Sequence, residues 1–291
     1  MLMKVRELFA TEVPLVAMIH LGPLPGSPRF EGSMDGVFER AARDAEILAE
    51  EGMDGLLVEN FGDVPFFPDQ VPPVTVAAMA VLIQRLRAHL RARLEPTAGR
   101  GAGSDAPPWG VNVLRNDVRS ALSIAAATGG SFVRVNVHTG ARLTDQGLIE
   151  GRAWETLRLR ETIAPNVAIL ADAAVKHSWS LAEVPLSESV ADLVERGLAD
   201  AVLITGNRTG AAPAPRALAE AKRAARGVPV WVASGVDPEN LPGYLGAADG
   251  FIVGSSLKAD GRAASPVDRE WVRALLRSAG RGSRPGGRRS P

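Results

Sequence analysis

Apolar runs of strand length alternate with segments of helical period from one end of the chain to the other. The runs are PLVAMIH (Pro14–His20), GLLVEN (Gly55–Asn60), WGVNVL (Trp109–Leu114), FVRVNV (Phe132–Val137), VAILADA (Val167–Ala173), DAVLIT (Asp200–Thr205), VPVWVAS (Val228–Ser234) and DGFIVG (Asp249–Gly254). Between them, apolar residues three and four apart predict helices in MDGVFERAARDAEILAEEG, TVAAMAVLIQRLRAHLRARL, DVRSALSIAAATGG, ALAEAKRAARG and DREWVRALLRSAG. Eight strand-helix units in succession predict an α/β fold, a single parallel (β/α)8 barrel over residues 1–278. Residues 279–291 read as a disordered basic tail, which could touch an acidic partner. Segments leaving strands, such as LGPLPGSPRFEGS, FGDVPFFPDQVPP and HTGARLTDQGLIEG, are long, while returns such as ERGLAD are tight, which places function on the face where strands end. One return loop, Glu95–Pro108, is long and polar and is expected to be mobile; its Gly99–Ser104 GxGxS follows a helix and is no dinucleotide fingerprint.

Strand parity selects the inward side chains. In FVRVNV the apolar set Val133, Val135 and Val137 must face helices, which turns Arg134 and Asn136 into the barrel with His138 next in the series. The same parity turns His20, Glu59, Asn112, Asp172 and Thr205 inward, so each of the first six strands offers a polar residue near its end. Two readings compete: a ring of catalytic and binding groups, or a structural salt network of Glu59, Arg134 and Asp172, since buried polar groups must be paired.

The last two strands stop at glycines, VWVASG at Gly235 and DGFIVG at Gly254. Each is expected to open a helix, with Asp237 as N-cap and Pro238 in the first turn after Gly235, so that Gly235/Val236 and Gly254/Ser255 form a phosphate cup. Thr205 and Gly206 join the candidate binding residues, and Thr209 with Gly210 could form a second anion nest. Trp154 and Trp179 could cover the mouth of the site, but packing of loops is the favoured reading. The helix over Thr75–Leu94 has an apolar first half that could serve a homo-oligomer.

Composition narrows the classes. Lys plus Arg and Asp plus Glu both total 33, so no global field draws nucleic acid or an anionic membrane, and an anion site has to be local. Hydrophobic residues make up 46% with no membrane-length apolar run, and the N-terminus lacks signal-peptide features, so a soluble, cytoplasmic protein is expected. The absence of cysteine removes disulfides, thiolate ligands and a thiol nucleophile. Glu59 and Asp172 suit an acid and a base, and Lys176 could supply electrostatic stabilisation or a Schiff base. His20, His138 and His177 with Asp172 could hold a divalent metal, although no compact metal spacing supports it and no cofactor is assigned.

VAMIHLGPLPGSP, GLLVENFGDVPF, GVNVLRND, FVRVNVHTGARLTDQGLIEGRA and ADAAVKHS together resemble the BtpA/SgcQ family over about Val16–Ser256. The resemblance implies a TIM-type barrel similar to the ribulose-phosphate-binding group. It brings a family name taken from a cyanobacterial role in photosystem I biogenesis, although similar proteins occur in organisms without photosynthesis. It also implies importance for His20, Glu59, Asn60, Asn112, Arg115 and Asn116, and for Arg134, Asn136, His138, Asp145, Asp172, Lys176 and His177. The chain departs from the pattern at Ala173 and Ala174. LLVENFGDVPFFPD additionally resembles the strand-2 region of the tryptophan synthase α barrel, which implies an acid/base role for Glu59 and a possible one for Asp63. The expected function is that of an enzyme acting on a phosphorylated small molecule, a sugar phosphate or nucleotide-like compound, as a lyase, isomerase or glycosyl-bond-cleaving catalyst. The alternatives are a non-catalytic assembly factor and a phosphate-ligand sensor.

Overall fold

The computed structural model describes residues 5–94, 107–173, 178–206 and 212–282. Lys176, His177, Thr209 and Gly210, most of the 95–108 loop and the tail from 283 onward lie outside the described residues. In chain order the strands are β1 (Leu15–His20), β2 (Gly55–Glu59), β3 (Trp109–Asn112), β4 (Phe132–Val135), β5 (Ala141–Thr144), β6 (Gly147–Glu150), β7 (Ala168–Asp172), β8 (Ser178–Ser180), β9 (Ala201–Ile204), β10 (Val230–Val232) and β11 (Phe251–Val253). The helices are α1 (Met34–Glu51), α2 (Pro73–Leu94), α3 (Val118–Thr128), α4 (Ala153–Ile163), α5 (Leu186–Glu195), α6 (Pro215–Ala224) and α7 (Arg269–Ser278).

Eight strands close a parallel barrel in the order β1-β11-β10-β9-β7-β4-β3-β2, the architecture of a (β/α)8 barrel. Every one of them coincides with a strand expected from the apolar runs. Parity divides the core as it must. Leu56, Val58, Val133, Val135, Ile169, Ala171, Val202 and Val232 pack outward against the helices. Val16, Met18, Leu57, Phe132, Leu170, Leu203, Trp231 and Ile252 fill the interior, and Phe9 closes its lower end between Phe132 and Trp231, with ring centroids 5.9 and 5.6 Å away.

Two departures from the expected units matter for the site. No α-helix follows β10 among the described residues: Asp237 caps a turn by accepting from the amides of Glu239 and Asn240, both at 2.9 Å, but only a 3-10 turn, Leu241–Gly243, ensues. Pro242, Gly243 and Gly246 in that segment oppose a helix. Likewise the chain after β11 enters a 3-10 turn, Ser255–Leu257, and reaches α7 only at Arg269. The second departure is a three-stranded antiparallel sheet, β6-β5-β8, built from the long segments after β4 and β7. Leu148, Leu143 and Trp179 stand side by side across it and are 51%, 46% and 67% exposed. Trp179, and Trp154 at 63% exposure, therefore do not pack loops as expected.

Candidate functional site

The barrel mouth holds a cavity of about 300 Å³ bounded by His20, Glu59, Arg134, Asn136 and Asp172 and by the segments Ser234–Val236 and Gly254–Ser256. Each inward series supplies a layer: Val16 and Met18 precede His20, Leu57 precedes Glu59, Phe132 precedes Arg134, and Leu170 precedes Asp172. Apolar residues fill the barrel, and the next inward position on β1, β2, β4 and β7 lines the mouth.

The carboxylates are held differently. Arg134 donates from Nε and Nη2 to the two oxygens of Asp172 at 3.2 and 3.1 Å, and Asn136 Nδ2 donates to Asp172 Oδ2 at 2.8 Å. Burial opposes the charge of Arg134, but Asp172 and Glu59 outweigh it and hold the guanidinium above its ordinary value. Asp172 thus accepts three N–H donors and fixes Arg134 and Asn136 in place. Glu59 receives one donor from the neighbouring strand, Asn112 Nδ2 to Oε2 at 2.6 Å, and its Oε1 lies 3.9 Å from His20 Nε2. His20 in turn meets the edge of Phe61, with centroids 5.0 Å apart. Arg115 borders the same cavity; burial lowers its pKa, partly offset by Asp172, Asp145 and Glu59.

The cup rests on backbone geometry. Gly235 has φ 69° and Gly254 lies so near His20 that a Cβ there would stand 3.0 Å from the imidazole Cε1. Among the described residues, the amides of Gly235, Val236, Gly254 and Ser255 donate to no acceptor, while Ser256 Oγ bonds Val236 O at 2.5 Å and Asn240 Nδ2 bonds Gly235 O at 2.7 Å. The two strand ends are thus cross-braced, and the turn after each lacks the long helix expected from the sequence.

Four of the expected site residues, Asn112, Thr205, Gly206 and His138, do not line the cavity. Asn112 is 1% exposed and acts beneath it, on Glu59. Thr205 is buried at the end of β9, and the amide of the adjoining Gly206 donates to Ser234 Oγ at 3.1 Å, bracing the cup from below. His138 is 1% exposed with Nε2 2.8 Å from Gly197 O, so it serves the packing near α5. No group of three metal-ligating side chains converges among the described residues. What parity missed is the segment after β2: Asn60 accepts from Leu114 N at 2.7 Å and donates to Asp63 at 3.1 Å, and Asp63 also accepts from Leu24 N at 2.7 Å. Burial raises the pKa of Asp63 against those two donors. The signal was present as the ENFGD string, but strand parity says nothing about residues past a strand end.

A second cavity of about 230 Å³ adjoins Asn136 and Asp172 from the side of Arg142 and Ser180. A third, of about 180 Å³, lies outside the ring by α3 and α4, where Arg119 pairs with Glu155 and Arg152 with Asp69. No helix among the described residues is long and apolar enough to cross a membrane.

The fold defines the chain as a closed (β/α)8 barrel with its cavity at the mouth. It is similar to N-(5'-phosphoribosyl)anthranilate isomerase from Pyrococcus furiosus, with a TM-score of 0.52 at 13% identity over 92% of this chain and 98% of that one. The chain belongs to the BtpA family, whose profile matches residues 11–281. It is 43% identical over 276 residues to the photosystem I biogenesis protein BtpA of Synechocystis, covering 95% of this chain and 91% of that protein. A Thermococcus kodakarensis relative named only as uncharacterized is 44% identical over 266 residues, covering 91% and 95% of the two chains.

Proposed function

We propose that the chain is an enzyme that binds a phosphorylated small molecule, a sugar phosphate or nucleotide-like compound, and carries out proton transfer on it. The carrying observation is that one cavity joins the undonated amides of Gly235, Val236, Gly254 and Ser255 to Glu59 and His20. The amides take the phosphate. Glu59, steadied by Asn112, exchanges a proton with the substrate, with His20 beside it. Arg134, held by Asp172, faces negative charge that develops as the proton leaves. This suits an isomerase, a lyase or cleavage of a glycosyl bond. The test begins with thermal shift against inorganic phosphate and sugar and nucleoside phosphates; a ligand at about 100 times its Kd adds ~2.7 kcal/mol. With a bound compound in hand, Glu59→Gln is expected to lower kcat by ~10²–10⁴ while the ligand-induced shift persists. Undiminished turnover removes Glu59 from the mechanism, and no shift with any phosphate in a folded sample removes the cup.

A second reading, assembly of a larger complex, is favoured by the exposed row of Leu148, Leu143 and Trp179 and by the name of the Synechocystis relative. It requires partner capture that survives Glu59→Gln and is lost with Leu143→Ser plus Trp179→Ser.

A further inference from the structure

The mouth cavity has two unlike walls. Across the ring from β10 lie β2 and β3, and there the apolar side chains of Phe61, Val64, Phe66 and Leu114 line the cavity beside Glu59 and Arg115. These side chains are set in place by the backbone around them. Gly62 N donates to Leu21 O at 3.0 Å, Arg115 N to Phe67 O at 3.1 Å, and Val71 N to Asp117 Oδ2 at 2.9 Å, while Asp63 ties the same segment to Leu24. The wall is therefore formed before a ligand arrives and costs little to organise on binding. The hydroxyls of a bare sugar phosphate could meet Glu59 and Arg115 but would leave the apolar faces of Phe61, Val64, Phe66 and Leu114 uncovered. A flat ring would instead remove apolar surface from water on both partners.

Between wall and cup stands Asn136, 5% exposed, whose Nδ2 is committed to Asp172. Its Oδ1 is buried with no hydrogen-bond partner, an acceptor waiting for a donor such as a ligand hydroxyl. We infer that the site takes a phosphorylated sugar carrying a planar aromatic ring: phosphate on the cup, sugar at Asn136 and Glu59, ring on Phe61 and Phe66. The inference rests on the phosphate reading above and narrows it to ring-bearing phosphates such as nucleoside monophosphates.

The experiment is titration calorimetry of the full chain with ribose 5-phosphate, AMP, UMP and adenosine, repeated on Phe66→Ala and on Phe66→Leu, which keeps apolar bulk without the ring. AMP or UMP is expected to bind at least about tenfold more tightly than ribose 5-phosphate, the scale of one base stacked on an aromatic side chain. Adenosine is expected to bind more weakly than AMP, and both Phe66 variants are expected to erase most of the nucleotide advantage. Nucleotides that bind no better than ribose 5-phosphate overturn the ring inference and leave the phosphate reading standing. No binding by any of the three phosphates to the folded chain overturns both.

Discussion

His138 and Arg134 lie on one inward series, yet only Arg134 reaches the cavity. Asn116 grips Val137 from both sides, donating to its carbonyl at 2.9 Å and accepting from its amide at 2.8 Å, so the chain leaves the barrel after β4 and carries His138 toward Gly197. Parity was a sound guide to His20, Glu59, Arg134 and Asp172, which lie in regular strands, and to Asn136 just beyond. It failed at His138 because a side-chain clamp from another loop cannot be read from alternation. A carbonyl only accepts, so His138 Nε2 carries the proton; Nδ1 is buried without a partner, and burial lowers the pKa from the ordinary 6.5. The unfolded chain therefore takes up a proton at higher pH than the folded one. Stability contributed by neutral His138 is full above about pH 6.5 and falls as the pH drops below it. His138→Gln, which keeps a donor for Gly197 O, is expected to flatten the slope of unfolding free energy as the pH falls below about 6.5, measured by urea titration at a series of pH values.

At the scale of elements, the cup depends on how the segment after β11 is anchored. Lys258, 2% exposed, reaches Asp44 of α1 at 3.0 Å, and the other oxygen of Asp44 accepts from Val267 N at 2.8 Å. Burial lowers the pKa of Lys258, and Asp44 opposes that shift. One carboxylate thus staples both arms of the 254–268 segment to the barrel wall, in place of the helix that the sequence suggested. Lys258→Met is expected to cost about 3–5 kcal/mol by denaturant unfolding, because it strands a buried charge. Adding Asp44→Asn should recover more than half, since the amide oxygen still serves Val267; no recovery would mean that packing, not charge, sets the loss. The β6-β5-β8 sheet was illegible for a different reason. Its strands are three or four residues long; β5 and β6 form a hairpin in a segment whose Gly and Asp content reads as loop, and the pairing of β5 with β8, far along the chain, leaves no local mark.

At the scale of the molecule, eight strands and their polarity were legible because a parallel sheet buried on both faces must be written in apolar runs. The plug was not: Val5 and Phe9 belong to no regular period, yet they seal the end of the barrel opposite the cavity. Phe9, 7% exposed, fills the space between Phe132 and Trp231, and Phe9→Ala is expected to cost about 3–5 kcal/mol. The same variant should change Trp231 fluorescence in the native state; an unchanged unfolding midpoint would show that the barrel end does not need the ring.

The register that closes the barrel pairs Leu15 with Phe251, residues from the two ends of the chain. On the ribosome, β1 emerges first and must wait, with one edge exposed, for almost the whole of the remaining chain to be made. The plug ahead of it waits almost as long, because Trp231 is also a late arrival. Residues made ahead of every other strand are thus among the last to find their native contacts, and a folding helper that shields a bare strand edge would meet this chain at β1.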